Sequence, residues 1–135
     1  MARQLDDNTL VSGQIGAADI PALAEQGVGL IINNRPDGED PGQPLSAELE
    51  AAAKAAGIKY CHIPISRGIG PSDVEAMQDA LNSCEQGKVL AFCRSGSRST
   101  LAWAVARRED GVPVEELQRA ADNVGVDISP VAHLL

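Results

Sequence analysis

Short apolar runs alternate with longer amphipathic stretches along the chain. Thr9-Leu10-Val11 stops at Ser12-Gly13 and predicts a short strand. Ala17 to Gln26, closed by Gly27, predicts a helix. Val28 to Asn33 is an unbroken apolar run, the pattern of a strand covered on both faces. Arg35 to Pro44 holds three prolines and two glycines and predicts a loop. Ser46 is placed to cap an alanine-rich helix from Glu48 to Ala56, which Gly57 ends. Ile58 to Ile65 predicts the next strand and Ser66 to Gly70 a loop. Pro71 suits the first turn of a helix running to about Cys84. Lys88 to Cys93 predicts another buried strand, followed by helices over Ser99 to Asp110 and Val114 to Asn123 and a turn at Ser129-Pro130.

Strands separated by helical stretches of about 10–15 residues call for right-handed crossovers and a parallel sheet. The expected fold is therefore α/β: a three-layer sandwich with a central, mainly parallel sheet and helices on both faces. In such sheets ligands bind beyond the carboxyl ends of the strands. Those ends bring Arg35 and Asp37, then Ser66 and Arg67, then Cys93 and its following loop to one rim.

Composition narrows the function classes. The 135 residues fit one domain spanning 1–135. Hydrophobic residues make up 44%, enough for a core, but the only aromatics are Tyr60, Phe92 and Trp103, so Ala, Val, Leu and Ile must fill it. With 19 acidic and 11 basic residues, the net charge is −8. Such a chain repels phosphate backbones and anionic lipid, and it lacks platforms for stacking bases, so nucleic acid and membrane are not expected partners. No apolar leader and no membrane-length apolar run are visible, so the expected address is the cytoplasm. Cys61, Cys84 and Cys93 do not read as a disulfide framework and are expected to remain thiols. His62 and His133 are isolated, and no His/Cys/Asp spacing suits a metal. No phosphate-binding Walker loop or dinucleotide fingerprint is present, and no cofactor is expected.

The chemistry concentrates in Cys93-Arg94-Ser95-Gly96-Ser97-Arg98-Ser99, between a buried strand and a helix. Backbone N–H groups of a Gly/Ser loop form an anion-binding nest, and the helix start adds its unpaired donors and partial positive charge. Arg98 can place a planar fork on a bound anion. Each feature favours a thiolate at Cys93. From Lys88 to Arg108 there are five basic residues and no acidic one. Arg107 and Arg108 suit a helix C-terminus; Arg94 and Arg98 are not explained that way.

These residues carry a resemblance on two scales. Phe92-Cys-Arg-Ser-Gly-Ser-Arg-Ser99 resembles the active-site loop of rhodaneses. Leu10-Val-Ser-Gly-Gln14, Ile31-Ile-Asn-Asn-Arg-Pro-Asp-Gly-Glu39 and His62-Ile-Pro-Ile65, together with the loop, resemble the bacterial phosphatase-like domain also found fused to β-lactamase-like persulfide dioxygenases. That resemblance implies a cysteine-phosphatase-like fold. Cysteine-dependent phosphatases place five residues between Cys and Arg, whereas four lie between Cys93 and Arg98. A tighter ring of amides suits a single sulfur, and the short loop goes with sulfur transfer among rhodanese-like proteins. The loop Ser66 to Gly70 also lacks the aspartic acid that phosphatases use to protonate the leaving oxygen, and Asp73 reads as a helix cap. Phe92 stands where phosphatases carry His.

The expected activity is therefore sulfur transfer. Cys93 would take sulfane sulfur from a small anionic donor such as thiosulfate or a persulfide and pass it to a low-molecular-weight or protein thiol, with a persulfide dioxygenase a candidate partner. In that expectation Arg98 and the amides of Arg94, Ser95, Gly96 and Ser97 hold the anion, and Ser99 steadies the thiolate. Two alternatives stand beside it: a phosphatase working through phosphocysteine, and a non-catalytic anion-binding or thiol-sensing module. Arg67 either clamps the anion or is an exposed solubilising charge. Arg35 either contacts substrate or organises the Asp37-Gly38-Glu39-Asp40 loop by ion pairing. Ser12 and Gln14 border the pocket or serve a turn. Cys61 and Cys84 read as packed rather than as resolving thiols.

Overall fold

Among the described residues, the chain builds one five-stranded sheet from β1 (Arg3–Asp6), β2 (Thr9–Ser12), β3 (Val28–Asn33), β4 (Lys59–His62) and β5 (Lys88–Phe92), in the order β1-β2-β5-β3-β4. The computed structural model describes residues 2–135. β1 pairs antiparallel with β2, and every other pairing is parallel. The helices are α1 (Ile20–Glu25), α2 (Ser46–Ala55), α3 (Pro71–Ser83), α4 (Ser97–Glu109) and α5 (Val114–Asn123), with 3₁₀ turns at Ala17–Asp19 and Ser129–Leu134.

Strand periodicity sorts the core into two layers. Leu30, Ile32, Val89 and Ala91 face α3, α4 and α5, where Met77, Leu81, Val105 and Leu117 are buried. Val28, Ile31, Leu90 and Phe92 face α1 and α2, against Ile20, Leu23 and Leu49. Phe92 thus fills the layer remote from α4, which accounts for an apolar residue immediately before Cys93. The sandwich is the one expected from the alternation of strands and helices.

Local differences from the sequence reading have identifiable causes. β1 carries a single buried side chain, Leu5, so no apolar alternation announced it. Pro21 lies in the first turn of α1 and separates it from the preceding 3₁₀ turn, splitting the helix expected over Ala17 to Gln26. The strand expected to run to Ile65 ends at His62, although Ile63 and Ile65 still donate to the carbonyls of Asn33 and Asn34. Ser46 does not cap α2: Leu45 holds the cap position, and the Ser46 N–H is taken instead by Asp37 Oδ1 at 2.8 Å. α4 begins at Ser97, two residues earlier than expected, so Arg98 and Ser99 both lie in its first turn. Among the described residues, no helix is long and apolar enough to cross a membrane.

Candidate active site

Hydrophobic strands β2, β3 and β5 end in register, with Ser12 and Asn33 both opposite Phe92. Cys93 follows directly and is buried, 1% exposed. Its N–H donates to the Ser12 carbonyl at 3.3 Å, which ties the start of the loop to β2. The chain then turns through Gly96, whose φ of +96° lies in the left-handed region open to glycine. This turn returns the Gly96 N–H to Cys93 Sγ at 3.1 Å. Burial pushes the thiol pKa up. The backbone N–H groups of Ser99 and Ser95, the Ser99 hydroxyl and the Gly96 N–H together outweigh it, and the pKa lies below that of an ordinary cysteine.

Ser99 is fully buried and donates its hydroxyl to Asn34 Oδ1 at 2.8 Å. A hydroxyl has one proton, so it serves Asn34 or the thiolate at any moment, not both. Asn34 is itself fixed by donating to the Ile63 carbonyl at 3.0 Å.

The loop between β3 and α2 reaches over this cup. Glu39 accepts from Arg98 Nη2 at 2.7 Å and Nη1 at 2.8 Å, and Nη1 also donates to the Ile65 carbonyl at 2.7 Å. Three of the five guanidinium hydrogens are thereby used. The Nε–H and the second Nη2–H, which share one edge, remain for an anion. Bonding to Arg98 brings the Glu39 pKa down to about 2 from an ordinary 4.5, with burial opposing and Arg35 adding to the shift. The Arg98 pKa is raised, first by Glu39 and further by the facing Cys93.

Arg35 is 3% exposed and organises the same loop. It donates to Glu39, Asp40 and Gln14 Oε1. Its own N–H donates to Asn33 Oδ1 and its carbonyl meets His62 Nε2 at 2.9 Å. Arg35 therefore sits behind the carboxylates, with its guanidinium engaged by the loop and by Gln14. Arg94 extends outward, its side chain 69% exposed, and approaches Asp40 at 3.5 Å. Arg67 borders a cleft of about 460 Å³ that opens beside Arg98 and is lined by Ile69, Leu101, Val131 and Leu134. Asp73 accepts from the Gly70 N–H at 2.9 Å and caps α3. Cys61 and Cys84 are each half-buried, Cys61 with a pKa raised by burial, and Cys84 donates to the Gln86 carbonyl at 3.3 Å. Among the described residues, no group of three or more His, Cys, Asp or Glu gathers as a metal site.

The structure thus brings Cys93, Ser95, Gly96, Arg98 and Ser99 together, sets Arg67 on an adjoining cleft, and turns Arg94 outward. The sequence reading did not assign roles at the site to Asn34 or Glu39. Their signal was present, because both lie in the Asn33-Asn34-Arg35-Pro36-Asp37-Gly38-Glu39 run beyond a buried strand end.

The model of the family described as "Beta-lactamase hydrolase-like protein, phosphatase-like domain" matches residues 2–109. The Beta-lactamase hydrolase-like protein of Agrobacterium fabrum is 39% identical over 111 residues, covering 82% of this chain and 26% of that protein. The chain spans about a quarter of the length of the curated relatives it matches. A crystal structure of a candidate phosphatase from Neisseria meningitidis is 34% identical with a TM-score of 0.81, covering 97% of this chain and 94% of that one. Tk-PTP in its active form, 18% identical with a TM-score of 0.73 over 95% of this chain and 87% of that one, shares the fold.

These likenesses overturn the sulfurtransferase expectation, because the matching family and the 34%-identical structure are both phosphatase-like. A four-residue spacing still lets the amides of Ser95, Gly96 and Ser99 converge on the sulfur with Arg98 above it. The loop Ser66 to Gly70 carries no carboxylate, and Glu39 and Asp40 of the β3–α2 loop are engaged by arginines, Glu39 by Arg98 and Arg35 and Asp40 by Arg35 and Arg94. On residues 2–109, the chain belongs to the phosphatase-like domain family of the beta-lactamase hydrolase-like proteins.

Proposed function

We propose that this domain hydrolyses phosphate monoesters through a phosphocysteine at Cys93. The carrying observation is the Arg98 guanidinium, fixed on one fork by Glu39 with its other edge left for an anion beside a thiolate-favouring cysteine. The thiolate attacks phosphorus, the sulfur–phosphorus bond forms, and the ester oxygen leaves with its electron pair. Water then attacks phosphorus, the sulfur–phosphorus bond breaks, and inorganic phosphate departs as the thiolate returns. The loop amides and Arg98 neutralise the oxygens that gain charge. Ser99 supports the thiolate as it departs from phosphorus.

Glu39, held ionised by two arginines down to about pH 2, is an orienting group for Arg98 rather than a proton donor in this arrangement. An ester whose leaving group is itself acidic suits such a site, and a phenol, with a pKa of about 10, meets that need better than an alkyl alcohol. The apolar cleft beside Arg98 accommodates an aryl group, with Arg67 at its edge. We therefore assign aryl phosphate monoesters as the substrate class.

The test is phosphate release from 4-nitrophenyl phosphate, with the Cys93→Ser protein as control. Cysteine-dependent release, with a phosphoryl adduct trapped on Cys93 in rapidly acid-quenched protein, is expected. No release above the Cys93→Ser control from this ester or from phosphotyrosine overturns the reading.

A further inference from the structure

We propose that Arg3, on the edge strand, is a positioning residue for the Cys93 thiolate, acting through the single peptide unit that joins Ser95 to Gly96. The two ends of that unit have separate partners. Its carbonyl, on Ser95, accepts from Arg3 Nη2 at 2.9 Å. Its N–H, on Gly96, donates to Cys93 Sγ at 3.1 Å. A trans peptide is planar, with its C=O and N–H pointing in opposite directions. Fixing the carbonyl on one side therefore aims the N–H on the other, and a donor aimed at the sulfur stabilises the thiolate over the thiol.

Arg3 is itself anchored. Its Nη1 donates to the Val124 carbonyl at the end of α5. β1 is held by antiparallel pairing, with Arg3 opposite Val11, by burial of Leu5, and by Trp103 Nε1 donating to Asp6 Oδ2 at 3.3 Å. Gly96 completes the fit. A Cβ there would lie 2.5 Å from Arg3 Nη2, so the absent side chain is what admits the guanidinium. The clamp arrives from the side of the loop opposite the Glu39–Arg98 pair. Other ionisable groups around the cup are Arg98 from α4, and Glu39, Asp40 and Arg35 from the β3–α2 loop, with Arg94 outside. None of them bonds the Ser95 carbonyl.

This role extends the proposed reaction, but its test reads the thiolate directly and does not depend on ester hydrolysis. The rate of iodoacetamide labelling at Cys93, located by peptide mass spectrometry so that Cys61 and Cys84 are scored apart, is followed against pH. Arg3→Ala is expected to raise the midpoint by about one pH unit. Arg3→Lys, which keeps charge and one donor, is expected to fall between Arg3→Ala and the unsubstituted protein. Leu5→Ala loosens the same strand without touching the peptide; it is expected to lower the melting temperature while leaving the midpoint in place. The proposal is overturned if neither Arg3 variant that folds moves the midpoint, or if Leu5→Ala moves it equally. Loss of phosphate release with an unmoved midpoint also counts against it, whereas a moved midpoint with no phosphatase activity in any form defeats only the assigned reaction.

Discussion

Glu39 holds Arg98 end-on: Oε1 meets Nη2 at 2.7 Å and Oε2 meets Nη1 at 2.8 Å, across 59 residues of sequence. The pair converts a flexible cation into a fixed one whose remaining edge is defined before substrate arrives. Glu39→Gln keeps the size but replaces one acceptor oxygen with an amide that opposes an Arg98 N–H. We expect kcat/KM for 4-nitrophenyl phosphate to fall about 10- to 100-fold, the range associated with a misplaced catalytic group. Steady-state kinetics with a melting curve checks this; an unchanged kcat/KM would remove Glu39 from the mechanism.

The same pair sets an acid-stability signature. Glu39 has a folded pKa of about 2, against an ordinary 4.5. A depressed carboxyl pKa contributes stability that is full above the unfolded value and is lost as pH falls through the folded one. The stability difference between the parent protein and Glu39→Gln should therefore be constant above about pH 5 and shrink between pH 4.5 and 2. Urea unfolding at stepped pH measures it. A difference that grows on acidification contradicts the pairing.

Arg94 and Arg98 look equivalent in Cys93-Arg94-Ser95-Gly96-Ser97-Arg98, but their surroundings separate them. The Arg94 side chain is 69% exposed and its contact with Asp40 spans 3.5 Å. Exposed pairs of this kind contribute about 0–1 kcal/mol. Arg94→Ala is expected to change kcat/KM less than about threefold, whereas Arg98→Ala removes the preorganised donor and costs at least about 100-fold. Parallel assays of the two variants settle the assignment, and equal losses would place Arg94 on the substrate.

How much of this was legible in the chain depended on how each residue declares itself. β3 and β5 are unbroken apolar runs because helices cover both faces, and their ends located the cup. Cys93 and Arg98 declared themselves by standing between such a strand and a helix. For Arg35 the chain left two readings open, substrate contact or organiser of the acidic loop, and the structure shows its guanidinium on Glu39 and Asp40, counter-charges close to a charge that stands immediately beyond a buried strand. β1 was not legible, because one buried leucine in four residues makes no pattern. Glu39 was placed in its loop but not on Arg98, because local spacing says nothing about contacts 59 residues apart. The activity was misjudged because the four-residue spacing and the loop without an aspartate were weighed above the resemblance over the whole domain, which is the likeness that the family and the 34%-identical structure bear out.

Ser99→Ala tests the hydroxyl behind the thiolate. The substitution removes a donor to Cys93 and leaves Asn34 Oδ1, fully buried, without its 2.8 Å partner. An unsatisfied buried acceptor costs about 1–3 kcal/mol. We expect that loss in chemical unfolding, a higher pH midpoint for Cys93 alkylation, and slower breakdown of the phosphocysteine than of the ester. Accumulated adduct in quenched samples distinguishes the last effect; faster breakdown would exclude a supporting role for the hydroxyl.

Gly96→Ala separates backbone strain from loss of the Arg3 clamp when it is compared with Gly111→Ala. Both glycines have nearly the same left-handed φ, +96° and +95°. A Cβ on Gly111 meets nothing within 4 Å, whereas one on Gly96 lies 2.5 Å from Arg3 Nη2 and 3.5 Å from the Ser12 backbone. Left-handed backbone at an L-residue costs about 1–2 kcal/mol, and both variants should show that loss in urea unfolding. Gly96→Ala should exceed it, because Arg3 must leave the Ser95 carbonyl or the loop must shift away from β2. It should also raise the alkylation midpoint of Cys93, while Gly111→Ala leaves that midpoint in place. Equal destabilisation with two unmoved midpoints would show that the loop absorbs a methyl group without turning the Gly96 N–H from the sulfur, and the geometric account of the lowered thiol pKa would then have to rest on the Ser99 and Ser95 donors alone.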